Sequence, residues 1–418
     1  MIKNSIVALC ILFSTHLFAQ EGTSSPYSFY GIGDIKFKGS VENRSMGGIS
    51  VLPDSIHINI QNPAQLAGLK LSGLALGGTY ANTKSLSEDQ EGKSRRTSLD
   101  YMAVGLPLGK IGIGFGLIPF SSVGYKISKT TEASNQNSDT IQKYNGIGGV
   151  NKVFLGFGYS LTKKINIGAN MQYNFGTIET TGLLYQTDIE NGTRETNISK
   201  LSGVNFDFGA TYQTKLKGKL SLFGSFIFAP ESKLKLSNTL NIQIVPLLSS
   251  SGITEIDSKN TVGNSTIKLP SKLALGTGFG EIKKWLLGTE VTFINNSVMS
   301  NRFDNITNSS FENSIRYSLG GYFIPNYNSY ATYYKRIVYR GGLRYENTGL
   351  VIENKSITDF AANVGLGLPL IGTFTNVNIG LEVGKRGTTY NNLVQENYFN
   401  ISVGLSLSDK WFVKRKFD

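Results

Sequence analysis

The sequence has almost none of the residues used in redox and metal chemistry. Cys10 is the only cysteine, and His16 and His57 are the only histidines. Cys10 and His16 fall in a segment that we expect to be removed on export, which leaves one histidine and no cysteine. This excludes disulfides and thiol chemistry and argues against metal sites and histidine-based catalysis. The G-x-S-x-G and H-E-x-x-H motifs are also missing, so we predict no enzyme, no metal and no cofactor.

Long apolar runs are missing after the first residues of the chain, which excludes a transmembrane helix. Residues 1–19 have the parts of a cleaved secretory signal: Lys3, an apolar run over residues 6–18, and the small residue Ala19 before Gln20. We therefore assign residues 1–19 to a signal peptide and expect an exported protein.

Acidic residues are outnumbered by basic ones, 29 against 41, and the formal net charge is +12. A basic exported chain is expected to meet anionic membrane lipid and lipopolysaccharide. The sequence contains no Lys/Arg-rich block interleaved with aromatic residues, so we predict no nucleic-acid partner.

What the chain has in quantity is glycine, 48 residues, and a two-residue alternation of apolar and small polar side chains. Period-two alternation places each set on one face of a strand. The clearest case sets Phe399, Ile401, Val403, Leu405 and Leu407 against Asn400, Ser402, Gly404 and Ser406. A soluble sandwich would also alternate, but its polar face would usually carry more Lys and Glu. The pattern therefore predicts an all-β fold, a transmembrane antiparallel β-barrel.

We assign residues 69–418 to this barrel and predict about fourteen wall strands. Their spans are 70–84, 96–107, 110–126, 147–161, 165–185, 197–214, 219–231, 262–280, 284–296, 310–324, 330–347, 356–369, 373–386 and 396–409. Short links alternate with longer polar ones, which is typical of a bacterial outer-membrane barrel with short periplasmic turns. An even strand count then places both termini in the periplasm.

Residues 20–68 differ from the rest of the chain. They show little alternation, contain Pro26, Pro53 and Pro63, and include no long strand. This segment either lies in the periplasm or folds into the lumen as an N-terminal hatch or plug, for which a barrel of this width has room.

Three stretches carry a resemblance to a known family. They are SMGGISVLPDSIHINIQNPAQLAGL from Ser45 to Leu69, GFGLIPFSSVGY in the third strand, and the C-terminal SVGLSLSDKWFVKRKFD. Together with the strand count, they resemble the FadL/TodX-type outer-membrane transporters, and the version here is similar to their Bacteroidetes branch. The resemblance implies passive uptake of a hydrophobic, long-chain fatty-acid-like ligand. The ligand would be caught by external loops, blocked by the hatch and released sideways at a kink in the third strand.

Pro119 and Phe120 lie in the middle of that third strand. Proline lacks the N–H that a central strand needs, and the alternation slips between the two residues. A bulge or kink should follow. We predict a lateral opening at this position, and the alternative is a harmless bulge near the outer rim.

Asn62, Pro63 and Ala64 form the second candidate site. Pro63 restricts its own backbone and that of Asn62. The resemblance implies that this triplet is the hatch tip that meets the kink. The alternative is a tight turn that leads into the first strand.

Charged residues of inward parity form the third candidate site, which we call the lumen charges. We assign to it Arg316, Arg336, Arg340, Arg344, Asp100, Asp207, Glu290 and Glu382. Arginine suits bidentate binding of a carboxylate, so a fatty-acid headgroup is one interpretation. The other is structural pairing among these residues or with the hatch, because buried charges need partners.

The predicted link between the seventh and eighth strands, about thirty residues long, contains an apolar stretch over residues 240–248. Exposed apolar surface often marks binding. We therefore assign Ile242, Ile244, Leu247 and Leu248 to a ligand-capture loop. The alternatives are a hairpin that folds over the barrel mouth and a contact with a partner subunit.

Two functions follow from these features. The first is passive uptake of a hydrophobic compound with lateral exit. The second is a non-transporting accessory subunit, a scaffold or shuttle, in an outer-membrane protein secretion or assembly complex. A continuous apolar pocket above the hatch would favour transport. A lumen packed with the hatch and with ion pairs would favour the accessory role.

Overall fold

The structure, a computed structural model, describes residues 23–35, 38–88, 90–131, 139–246, 258–260, 263–302, 308–328, 330–371 and 373–410. The predicted signal peptide lies outside the described residues. The described chain forms one closed antiparallel barrel of fourteen wall strands, as predicted. The strands are β1 (Ser72–Leu86), β2 (Glu91–Leu108), β3 (Ile111–Thr131), β4 (Thr140–Ser160), β5 (Ile165–Gln186), β6 (Asn191–Lys215), β7 (Leu220–Ala229 and Ser232–Pro246), β8 (Ser258–Asn260, Ser265–Leu269 and Lys272–Glu281), β9 (Trp285–Ile294), β10 (Ser309–Phe311 and Ser314–Phe323), β11 (Val338–Ile352), β12 (Lys355–Pro369), β13 (Asn376–Arg386) and β14 (Gln395–Asp409).

The barrel closes where β14 pairs with β1, from Ser72 opposite Asp409 to Leu86 opposite Gln395. The alternation sorts the side chains as expected. On β6, Phe206 and Phe208 face outward and are 44% and 46% exposed, while Asp207 between them faces inward and is buried. Apolar groups thus face the membrane, and small or polar groups face the lumen.

The wall is much taller on one side than on the other. The strands β4, β5 and β6 have 21, 22 and 25 residues, whereas β13 has 11. A tilted strand needs about 9–11 residues to cross a bilayer. The tall strands therefore extend well beyond the membrane at the end that carries the long loops.

The predicted capture loop is wrong for residues 240–246. These residues continue β7, and they pair with residues 191–197 of β6. Leu240, Ile242 and Ile244 keep the strand parity of the buried Leu234 and Leu236, and Ile242 and Ile244 are themselves exposed. Leu247 and Leu248 lie outside the described residues.

The predicted beginning of the eleventh strand at residue 330 is also wrong. A short helix, α2 (Tyr333–Arg336), comes first, and β11 begins at Val338. The neighbouring strands explain the difference, because β10 ends at Phe323 and β12 at Pro369. Residues 333–335 therefore lie beyond the ends of both neighbouring strands and Arg336 lies beyond the end of β10, so Arg336 does not share a wall position with Arg340 and Arg344.

The described residues before β1 form short elements only. They are a 3₁₀ helix (Pro26–Phe29), a two-residue strand (Asp34–Ile35), the helix α1 (Val41–Arg44) and a 3₁₀ helix (Pro63–Gly68). Two further 3₁₀ turns lie at Asn296–Val298 and Tyr390–Asn392. Among the described residues, no helix is both long enough and apolar enough to cross a membrane.

Apolar contacts join this N-terminal segment, residues 23–35 and 38–71, to the inner side of the wall. Val41 and Leu66 of the segment share one buried cluster with Ala103 of β2 and Phe154 of β4. Met46 and Ile49 share another with Phe223 of β7. Two buried apolar clusters thus lie between the segment and the wall, and a third is formed by wall residues around Ile32.

Candidate functional site

The Asn62-Pro63-Ala64 triplet lies against glycines of the wall. The Asn62 side-chain oxygen accepts a hydrogen bond from the Ala64 N–H at 3.0 Å, which caps the short helix that follows. A Cβ at Gly209 of β6 would lie 2.2 Å from that same oxygen, and a Cβ at Gly168 of β5 would lie 2.5 Å from the Pro63 carbonyl carbon. These contacts bring the triplet to β5 and β6, whereas Pro119 lies on β3.

The Met46-Gly47-Gly48 motif contacts a second pair of wall glycines, which lie across the barrel on β10 and β11. Gly47 has a φ of +70°, and its backbone lies directly against Gly342 of β11. A Cβ at Gly342 would be 2.3 Å from the Gly47 nitrogen, and a Cβ at Gly320 of β10 would be 2.1 Å from the Met46 carbonyl oxygen. The absence of side chains on both surfaces allows the two backbones to touch.

Arg344 is the centre of an ion-pair network in the lumen. Its side chain is 1% exposed, and it lies 3.2 Å from the Asp359 carboxylate and 3.6 Å from that of Glu382. The Tyr398 hydroxyl donates to Asp359 at 2.6 Å and accepts from Arg344 at 3.2 Å. Both carboxylates and the guanidinium thus have partners, as a buried charge requires.

A lysine of the N-terminal segment completes this network. The Lys38 ammonium lies 2.8 Å from Asp359 and 3.8 Å from Glu346. Arg316 in turn makes a two-pronged contact with Glu346 at 3.0 and 3.1 Å. The lumen charges are therefore occupied with one another and with the segment, which is the structural-pairing interpretation of the predicted arginines.

The remaining predicted lumen charges also meet the segment or the wall. Arg44 contacts Asp100, and the backbone and hydroxyl of Ser50 donate to Glu290 at 2.9 and 2.7 Å. Arg340 donates to Asn378, whose amide donates to Glu42 of α1 at 2.6 Å. Asp207 accepts from the Gln172 side chain. Only Arg336, outside the wall, is separate from this set.

His57 belongs to the segment and joins it to the same network. Burial opposes its charged form, but the Asp54 carboxylate at 2.7 Å and the Glu42 carboxylate at 3.8 Å favour it, so the pKa of His57 is raised. No partner for His57 was predicted from the sequence, and Lys38, Glu42 and Arg44 were not among the predicted site residues. The feature that could have identified these three residues is their charge, because most of their neighbours in the segment are small or apolar.

The third strand is interrupted on one edge near Pro119. β3 pairs with β4 along its length, with one register shift between Pro119 and Ser121. Its pairing with β2 ends at Leu117 opposite Met102, and within the described residues no further pair joins these two strands. The freed edge of β3 is occupied by Asp34 and Ile35, which pair with Ser122 and Ser121.

A cavity of about 250 Å³ lies beside this break. Ile118 and Phe120 of β3 line one side of it. Its remaining lining mixes apolar with charged groups, including Ile227, Leu269, Met299, Lys152, Asp207 and Glu290. The Lys152 ammonium lies 4.1 Å from the centre of the Phe120 ring. The cavity is amphipathic, and it is not a continuous apolar pocket.

The fold is similar to that of several solved outer-membrane channels. It matches a monoaromatic hydrocarbon channel, CymD, with a TM-score of 0.56 and 13% identity, over 93% of this chain and 99% of that one. It matches the toluene transporter TbuX of Ralstonia pickettii with a TM-score of 0.55 and 14% identity, over 88% and 98% of the chains. A FadL homologue of Pseudomonas aeruginosa gives a TM-score of 0.53 and 12% identity, over 90% and 98%. At these identities the likeness extends to the fold alone.

The predicted resemblance to FadL/TodX-type proteins is therefore confirmed for the architecture, and these neighbours are channels rather than enzymes. None of the curated proteins matches the chain. A family model described as BamG matches residues 1–418, the whole sequence. The chain belongs to the BamG family.

Proposed function

We propose that this protein is a non-transporting accessory barrel subunit of an outer-membrane protein assembly complex. One observation carries the proposal: the N-terminal segment is tied to the inner wall by inward ion pairs and hydrogen bonds on several strands. Lys38 reaches Asp359 on β12, Arg44 reaches Asp100 on β2, and Ser50 reaches Glu290 on β9. Membership of the BamG family fits this function.

The energetics support a segment that stays in place as a plug. Removing one partner from a buried ion pair typically costs about 3–5 kcal/mol, because the other charge is left without compensation. To leave the lumen, the segment would have to break several such pairs together with its contacts to the wall glycines. No ligand gradient in a passive channel supplies free energy of that size, so a permanently filled lumen suits a scaffold.

The test is purification of the full-length chain from outer membranes in mild detergent, followed by mass spectrometry of everything bound. We expect one or more proteins at stoichiometric ratio, and no fatty acid in a fixed ratio to the chain. A matched preparation of an unrelated barrel made at the same level controls for nonspecific capture. A chain that arrives without protein partners but with bound fatty acid would overturn the proposal.

A second candidate function, passive uptake of a hydrophobic compound with lateral exit, is favoured by one specific observation. The pairing of β2 with β3 stops at Leu117, and the interior cavity reaches Ile118 and Phe120 at that break. Ile242 and Ile244 continue the inward face of β7 above the lumen, where they would meet an incoming apolar ligand.

A cross-link across the break tests this second function. The Ser24 and Ser94 hydroxyl oxygens lie 2.5 Å apart and connect the segment to β2. Cys10, the only cysteine, lies in the predicted signal peptide. The double variant Ser24→Cys/Ser94→Cys should therefore form one disulfide beside the opening. If ligand leaves here, oxidation should abolish oleate uptake, and reduction should restore it. The single Ser94→Cys variant is the control, and unchanged uptake in the fully oxidised double variant would exclude this route.

A further inference from the structure

We propose that the outer face of the wall binds the phosphorylated head of lipopolysaccharide, at the end of the barrel that carries the long loops. The site is centred on Lys200, Lys233, Lys235 and Lys268, which we call the lysine cluster. This site is independent of the accessory function, and it gives the lipopolysaccharide contact expected from the net charge a place on the wall.

The lysine cluster is contiguous across three neighbouring strands. Lys235 of β7 lies opposite Ser202 of β6, the next outward position after Lys200. Lys233 of β7 lies directly opposite Lys268 of β8. Each lysine is followed or preceded along its strand by side chains that are buried in the lumen, so all four point outward. All four are exposed.

The protein compensates only part of the charge of this cluster. Glu231 lies 3.1 Å from Lys268. Within the described residues, the other three lysines form no ion pair. Like charges directly opposite each other on a sheet destabilise it, as for Lys233 and Lys268. Uncompensated ammonium groups on adjacent strands favour a phosphate, whose oxygens can accept from several lysines at once.

The lysine cluster lies just beyond the apolar band of the wall. On β6, the outward aromatic residue near the short-turn end is Tyr212, and Lys200 precedes it by 12 residues. A tilted strand of that length rises roughly 30 Å along the barrel axis, whereas the apolar band of such barrels is about 25 Å tall. Between the two residues, Val204, Phe206 and Phe208 are exposed on the outer face. The ammonium groups therefore lie at the depth of the lipid headgroups.

Beyond the lysines, the outward side chains of β7 are small and polar. They are Ser237, Thr239, Asn241 and Gln243. Their hydroxyl and amide groups both donate and accept hydrogen bonds, which suits contact with sugars. Along β6 and β7, the wall thus presents apolar, then cationic, then hydroxyl and amide surface. This is the order of acyl chains, phosphates and sugars in lipopolysaccharide, and a phospholipid lacks the last layer.

A second group of outward cations lies at the same end, on β1 and β2. It comprises Lys84, Lys93 and Arg95, and Lys84 lies 2.7 Å from the Glu91 carboxylate. The next outward positions beyond this group are Leu86 and Glu91, an apolar residue and an acid. This group therefore has the cations without the hydroxyl and amide row, and it provides a matched control for the lysine cluster.

Titration of fluorescently labelled lipopolysaccharide into the full-length chain, purified in detergent and freed of native lipid, tests the site. The triple variant Lys200→Gln/Lys233→Gln/Lys235→Gln should raise the Kd about tenfold, because three exposed charge-assisted contacts are lost. The control variant Lys84→Gln/Lys93→Gln/Arg95→Gln removes the same charge and should change the Kd by less than about twofold. Neither variant removes a buried group, and heat-dependent gel mobility verifies that each has folded.

Two further ligands identify what is recognised. Lipopolysaccharide from which the phosphates have been removed, and phosphatidylglycerol, should each bind the unmodified chain about tenfold more weakly. Equal binding of the dephosphorylated form, or equal losses in the two triple variants, would overturn the site. Phosphatidylglycerol bound as tightly as lipopolysaccharide would show that any lipid phosphate suffices, and would overturn the assignment to lipopolysaccharide. All of these outcomes are separate from the protein partners expected on co-purification, so failure of this site leaves the accessory function intact.

Discussion

Replacement of Arg344 by leucine should destabilise the folded barrel by about 3–5 kcal/mol, the usual cost of leaving buried charges without a partner. The Arg344 guanidinium is almost completely enclosed, and it compensates both Asp359 and Glu382. Leucine would leave two inward carboxylates with one cation fewer between them. The loss should appear as a lower free energy of unfolding in urea titrations of the detergent-solubilised barrel, followed by tryptophan fluorescence.

Arg316→Leu is the matched control for this experiment. Arg316 is 16% exposed, and its partner Glu346 also lies 3.8 Å from the Lys38 ammonium. The free energy of unfolding should therefore fall by less than in Arg344→Leu, by about 1.5–3 kcal/mol. Adding Asp359→Asn and Glu382→Gln to Arg344→Leu removes the uncompensated charge and should recover part of the stability. Equal losses in the two single variants, or no recovery in the combined one, would mean that Arg344 does not hold the network together.

The second large effect is expected at two adjacent glycines of β11. A Cβ at Gly342 would lie 2.3 Å from the backbone of Gly47, whereas a Cβ at Gly341 would have nothing nearer than 3.9 Å. Gly342→Ala should therefore push the N-terminal segment off the wall, and Gly341→Ala should leave it in place. Overpacking of this kind costs about 1–3 kcal/mol, which corresponds to roughly a 5- to 150-fold rise in the population of the displaced segment.

Limited trypsin digestion measures this displacement, because Arg44 is held against the wall and becomes a cleavage site once the segment leaves. When opening is fast compared with cleavage, the digestion rate follows the population of the open form. We expect faster cleavage within the segment for Gly342→Ala only. Similar digestion of the two variants would show that the close backbone contact does not position the segment.

Much of the wall could be predicted from local pattern, because lipid on one side and a crowded lumen on the other impose a two-residue period on every strand. Phe399 to Leu407 and Phe206 with Phe208 face outward as their parity requires. The strand prediction was wrong where the alternation continues beyond the end of a neighbouring strand. Tyr334 and Arg336 keep the alternation, yet they lie in a helix because β10 ends before it can pair with them. Ile242 and Ile244 were assigned to a loop, although β6 extends far enough to pair with them.

The fold class, the strand number and the inward parity of Arg316, Arg340 and Arg344 are thus properties of the sequence, since each depends on residues close together in the chain. The partners of those arginines are decided by the closed barrel, which brings Lys38 to Asp359 across 321 positions. The same holds for the contact of Gly47 with Gly342 and for the freed edge of β3 beyond Leu117. These features depend on which distant backbones approach one another, and no local period encodes that choice.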